Sequence, residues 1–224
     1  MILDKRADLG HGDVKKLLFS LSVPTITSQI VNMLYNLVDR VFIGHMQPAE
    51  TVGKLALTGV GVCLPIIMVI SAFASLMAIG GAPRASIAEG AGESEKSERI
   101  MGNCLTMLVI TALVLTVLFE SFAEPLLLMF GASENTIGYA LDYMRIYALG
   151  TIFVQLTLGM NAYITAQGFA TVSMKTVLIG ALLNTALDPL FIFVLGLGVR
   201  GAALATVISQ AVSAAVSYTH LTLP

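Results

Sequence analysis

Residues 17–44 read LLFSLSVPTITSQIVNMLYNLVDRVFIG, and this stretch decides the fold. At a rise of ~1.5 Å per residue it is long enough to cross the ~30 Å hydrocarbon layer of a bilayer. Its charged residues, Asp39 and Arg40, stand near its end. Gln29, Asn32, Asn36 and Asp39 fall within an arc of roughly 80° on a helix, so they share one face, with Tyr35 beside it. A helix facing only lipid has no use for such a stripe, which is expected to line an aqueous cavity or meet another helix. A carboxylate at membrane depth costs several kcal/mol unless it faces a polar cavity, a partner or a proton. The plainer alternative is an interfacial acid with Arg40 as counter-charge. Neighbouring residues point about 100° apart on a helix, however, which disfavours a bridge between these two.

A second carboxylate repeats the pattern. Asp188 lies in Asn184-Thr185-Ala186-Leu187-Asp188-Pro189, inside another apolar run. Asn184 and Asp188, spaced i, i+4, stack on one face. Pro189 has no N–H to give the carbonyl of Thr185. A carboxylate, an amide and a freed carbonyl make an oxygen-rich site suited to a proton or a sodium ion. A simple helix–helix hydrogen bond from Asp188 is the alternative.

Composition agrees with membrane burial. Of 224 residues, 56% are hydrophobic and 12% charged, and the mean hydropathy is +0.86. Soluble domains carry about 25% charged residues. Apolar runs place six spans near 17–44, 56–80, 101–123, 139–164, 173–196 and 201–218. Residues 1–16 form a polar cytoplasmic lead-in, and 17–216 a six-helix lobe. Pro24 and Pro65 give kink-capable helices, and Pro125 is expected to end the third. The stretch 82–99 reads as a solvated connection, and Asp142 with Arg145 as an interfacial pair at i, i+3. Residues 217–224 break the composition of the last helix, resemble translated sequencing-adapter read-through, and are expected to be non-native.

With the N-terminus inside, eight positive residues (Lys5, Arg6, Lys15, Lys16, Arg84, Lys96, Arg99 and Lys175) fall on the cytoplasmic side, against Arg40, Lys54 and Arg200 outside. That bias predicts cytoplasmic termini. Thr157, Asn161 and Thr165 in span four, and Thr206, Gln210 and Ser213 in span six, are candidate partners for the carboxylates or simple packing residues. Cys63 and Cys104 read as packing residues, and the scattered His11, His45 and His220 form no metal site. No phosphate-binding loop, nucleophile elbow or HExxH is present, so no enzyme is expected, and no basic-aromatic pattern points to nucleic acid.

Pro24, with the run Met33-Leu34-Tyr35-Asn36-Leu37-Val38-Asp39-Arg40-Val41-Phe42-Ile43-Gly44, closely resembles the first helix of MATE (multidrug and toxic compound extrusion) transporters. Gly80-Gly81-Ala82-Pro83-Arg84-Ala85-Ser86, with the Gly-rich stretch to Gly102-Asn103, is similar to the second-to-third-helix region of the MepA-like branch. Asn184-x3-Asp188-Pro189 matches the family's fifth helix, and the resemblance covers about 10–216.

The resemblance implies an all-α integral membrane protein in which six transmembrane helices form one lobe, the N-lobe, of a twelve-helix transporter with a cleft that alternates between the two sides. It implies a cation site at Asp39, Asp188, Asn184, Asn161 and Thr206. A substrate cavity follows at Tyr35 and Asn32, with Asn36 and Gln29 on the same stripe, and a hinge at Pro24 where the first helix bends. Position 32 holds asparagine where some members have glutamine. The implied activity is antiport of H+ or Na+ against amphiphilic, often cationic drugs. It needs no cofactor and no metal beyond a possible Na+ at Asp39 and Asp188. Expected partners are drug-like molecules, membrane lipid and a C-terminal lobe missing here. The expected location is a prokaryotic plasma or inner membrane, crossed several times. A flippase of lipid-linked sugars shares this architecture but needs basic residues for pyrophosphate, which these spans lack. A non-transporting membrane scaffold is the remaining alternative.

Overall fold

The computed structural model describes residues 13–222, which are helical almost throughout and contain no strand. The helices are α1 (Val14–Gly44), α2 (Lys54–Val62), α3 (Leu64–Gly90), α4 (Ser94–Met129), α5 (Ile137–Leu149), α6 (Thr151–Ala166), α7 (Ala170–Pro189) and α8 (Val199–Thr222). Single π-helical turns at Ala49–Gly53 and Leu190–Val194 precede α2 and follow α7. Five helical stretches are long and apolar enough to cross a membrane, and α5 with α6, bent by 56° across Gly150, makes a sixth. The chain is a multi-pass membrane protein. Most of the proposed lead-in, 1–16, lies outside the described residues, as do Leu223 and Pro224 of the tail; α8 itself continues through Thr222.

Local sequence explains most boundaries. The Asp13 carboxylate accepts from the Lys15 N–H at 2.9 Å and caps α1. α1 then runs unbroken through Pro24. In α3, Ala74, Ala78, Ala82, Ala85 and Ala88 are buried on one flank, a row of small side chains that lets α4 and α6 come close. Large apolar side chains such as Phe19, Ile26, Met33, Val117 and Leu182 point outward, as a bilayer requires. The main core lies at the end of the bundle where α1 finishes, among Ile43, Val60, Ile66, Ile70, Met144 and Ile192.

Four local expectations are corrected. The second span is longer than 56–80: α3 passes through Pro83 to Gly90, leaving a three-residue turn, Ala91 to Glu93, before α4. The supposed loop is instead held by Ser97 Oγ donating to Ala85 O at 3.0 Å and Ser86 Oγ to Ala166 O at 2.9 Å. Pro65 opens α3, where a missing N–H costs nothing, rather than kinking a continuous helix. Pro125 does not end α4. The break expected there comes three residues earlier, at Phe122 (φ −118°, ψ 19°), where α4 consists of two helices joined across a kink, and the second runs on through Pro125 to Met129. Asp142 does not pair with Arg145: its carboxylate accepts from Arg200 of α8 at 2.8 Å.

Candidate cation site and substrate cavity

The two intramembrane carboxylates are both buried, Asp39 at 6% exposure and Asp188 at 0%. α1 brings the first, one turn before its well-anchored end at Ile43. α7 brings the second in its last α-helical turn, just before Pro189 and the π-helical turn. They lie within electrostatic reach of each other. Asn184, one turn before Asp188, donates from Nδ2 to Asp188 Oδ1 at 3.3 Å and to Thr206 Oγ1 of α8 at 3.4 Å. Asp188, Asn184 and Thr206 therefore form one hydrogen-bonded cluster, and Asp39 joins it through its electrostatic reach to Asp188.

Three oxygens of this cluster, Asp39 Oδ1, Asp188 Oδ2 and Asn184 Oδ1, are buried with no hydrogen-bond partner among the described residues. Buried unpaired oxygens are costly, and two of them belong to carboxylates. A hard monovalent cation or a proton satisfies such a donor set: oxygens only, with no sulfur or imidazole. Among the described residues no group of three or more His, Cys, Asp or Glu side chains could hold a metal ion.

Beside the cluster opens a cavity of about 480 Å³ between α1, α3, α6, α7 and α8. Gln29, Asn32 and Tyr35 line it from α1, Asn161 from α6, and Asn184 and Thr206 form the part of its wall that is shared with the carboxylate cluster. Asp39 and Asp188 are buried and do not line the cavity. Among the described residues, all polar side chains that line it are uncharged.

Not every expected residue joins. Asn36 is exposed, bonds back to Asn32 O at 2.7 Å and does not line the cavity. Asn161 lines the cavity away from the carboxylates. Its Oδ1 accepts from Thr176 Oγ1 at 2.9 Å and Ser217 Oγ at 3.0 Å. Thr176 is two turns, about 12 Å along α7, from Asn184. Pro24 lies outside the cavity wall, next to its first α1 member, Thr25.

Two tyrosines were missed. Tyr143 and Tyr147 of α5, both buried, stack with ring centroids 5.9 Å apart. Both belong to the main core, with Ile43 and Met144. The signal was present as Tyr139-x3-Tyr143-x3-Tyr147, a tyrosine stripe at helical spacing.

A family model described as MatE matches residues 24–190. The Multidrug export protein MepA of Staphylococcus haemolyticus (strain JCSC1435) is 30% identical over 203 residues, covering 91% of this chain and 44% of its own. MepA of Staphylococcus aureus (strain NCTC 8325 / PS 47) is 26% identical over 201 residues. Crystal structures of a MATE protein in the bent and in the straight conformation each superpose with a TM-score of 0.86 at 28% identity, over 95% of this chain and 46% of theirs. The chain thus spans somewhat under half the length of the relatives it matches.

Proposed function

The chain belongs to the MatE family of transporters, which are not enzymes, and from that premise we propose that it forms one lobe of a two-lobe antiporter. The whole protein exports amphiphilic, often cationic drugs against an inward flow of H+ or Na+. Asp39 and Asp188, with Asn184 and Thr206, bind the coupling cation. Gln29, Asn32 and Tyr35 form part of the substrate wall, and Pro24 lets α1 bend. Asn161 serves the cavity rather than the cation, and Asn36 drops out of the substrate set. The lobe sits in a prokaryotic cell membrane with its N-terminus in the cytoplasm.

The observation that carries this reading is the separation of two buried acids from a neutral cavity by a shared wall, Asn184 and Thr206. A cation arriving on the acids is felt by the side chains that also face the substrate. In this way occupancy of one compartment changes affinity in the other, which is the linkage antiport requires. A flippase for a pyrophosphate-bearing lipid gains no support, because among the described residues no basic side chain lines the cavity.

Ethidium efflux from cells expressing the full-length protein tests the proposal. Gradient-driven efflux is expected in the wild type under an imposed proton or sodium gradient, and its loss in Asp39→Asn and in Asp188→Asn at equal expression. Undiminished efflux in both variants would overturn the assignment of the acids.

A further inference from the structure

α4 carries a carboxylate that the transport site does not use. Glu120 is half-buried, and its Oε1 lies buried with no hydrogen-bond partner among the described residues. The run before it, Ile100 to Phe119, holds no charge and spans about 30 Å as a helix, the thickness of the hydrocarbon layer. Arg99 stands at one end of that run and Glu120 at the other, where hydrocarbon gives way to headgroups. Leu113, Val117, Glu120 and Glu124 fall within an arc of roughly 60° on α4, apolar toward the bilayer centre and acidic toward its edge. Leu113, Val117 and Glu124 are exposed.

α5 supplies the other wall of a groove. Thr116 Oγ1 of α4 donates to Ala148 O at 2.9 Å, which sets the register of the two antiparallel helices. About one turn from that bond toward the headgroups stand Glu120 on α4 and Arg145 on α5. Arg145 lies about 60° round α5 from Ala148, and Glu120 about 40° round α4 from Thr116. Because the helices are antiparallel, both turn to the same, lipid-facing side. Arg145 is exposed, and the acid one turn before it, Asp142, is taken by Arg200. Among the described residues no ion pair joins Arg145, Glu120 or Glu124 to another side chain. Leu149, one turn deeper than Arg145, is exposed like Val117. The groove thus offers a guanidinium and two carboxylates at headgroup depth, with apolar walls beneath them.

We propose that this groove binds a phospholipid with an ammonium-bearing zwitterionic headgroup: Arg145 takes the phosphate, Glu120 and Glu124 take the ammonium, and an acyl chain lies along Val117 and Leu149. A guanidinium meets phosphate oxygens with a fork of N–H groups. A primary ammonium offers the carboxylates three N–H donors, whereas a quaternary ammonium offers none. An anionic headgroup meets the two acids unfavourably. The inference needs only the membrane setting of α4 and α5, so it stands or falls apart from the antiport reading.

Native mass spectrometry of the full-length protein tests it. Dioleoyl phosphatidylethanolamine, phosphatidylcholine and phosphatidylglycerol are added in equal amounts to the detergent-purified wild type, to Glu120→Gln/Glu124→Gln and to Arg145→Gln. Lipid held elsewhere is common to the three proteins and drops out of the comparison. The wild type is expected to retain phosphatidylethanolamine about fivefold over phosphatidylcholine, the weight of one net hydrogen bond to the carboxylates. The double variant loses that preference, while Arg145→Gln retains less of both zwitterionic lipids. Glu124→Gln alone, at an exposed position outside the packed core, lowers the preference without disturbing the fold. Equal retention of the two zwitterionic lipids by the wild type, a preference that survives in both glutamine variants, or retention of phosphatidylglycerol above the other two would each overturn the proposal.

Discussion

Gly201→Ala places a methyl group where the structure has no room for it. A Cβ at this position would lie 2.7 Å from both the carbonyl carbon and oxygen of Phe191 and 3.0 Å from the Ile192 nitrogen. These are backbone atoms of the π-helical turn that follows Asp188 and Pro189. They are not free to retreat: Phe191 O accepts from Leu197 N at 3.0 Å and Ile192 O from Gly198 N at 3.4 Å. Overpacking of this kind costs ~1–3 kcal/mol. The helical preference of alanine over glycine returns at most about 1 kcal/mol. From the middle of that range the net loss is about 1 kcal/mol, a fall in melting temperature of roughly 2–4 °C for a domain of this size. Gly80→Ala is the matched control, since nothing lies within 4 Å of its Cβ position. Only the helical preference acts there, so the melting temperature rises by about 2–4 °C. The chain has no tryptophan, so the assay is far-UV circular dichroism of the purified protein in detergent. A Gly201→Ala protein as stable as the wild type would refute the packing argument, whatever Gly80→Ala does.

Further outcomes can be checked independently. The Asp142–Arg200 pair is well exposed, so a double-mutant cycle to alanine should give little coupling, and that little should fade in high salt. Coupling that survives molar salt would contradict its exposure. Cys63 is fully buried and Cys104 half-buried. Limited maleimide treatment of the folded protein should therefore modify Cys104 and leave Cys63 for reaction only after denaturation. A cysteine placed at the exposed Glu95 should be labelled by an impermeant reagent in inverted vesicles and not in intact cells; the opposite pattern would reverse the proposed orientation.

The spans and both acids were legible because membrane burial writes long apolar runs into the sequence, and a polar stripe within one is conspicuous. The elbow at Gly150 was not. Within 139–164 that glycine looks like any other in an apolar run. Its role depends on Val207 of α8 filling the space where a Cβ would stand, a contact made by residues far apart in the chain. Pro125 did signal a break, but the structure puts it about one turn earlier, as a kink at Phe122, and lets a further helical segment follow. Asn161 was grouped with the acids through family resemblance, yet Thr176 and Ser217 hold its oxygen elsewhere. The direction of a side chain within a bundle depends on neighbours that linear spacing does not name. Asn184 and Asp188 were easier, because one turn of a single helix fixes both.

α1 has a consequence for the lipid around it. Its 31 residues make a rod of about 46 Å, against a hydrocarbon layer of ~30 Å. The excess must be taken up by tilt or by emergence into the headgroups. α1 packs chiefly along α7 and leaves Leu18, Phe19, Val23, Ile26 and Met33 exposed, so less protein opposes its tilt than opposes that of a helix enclosed on several sides. Bilayer thickness thus acts directly on the wall of the cavity. Reconstitution into lipids of increasing chain length should bring α1 closer to upright, making acyl-chain composition a determinant of cavity shape alongside cation and drug.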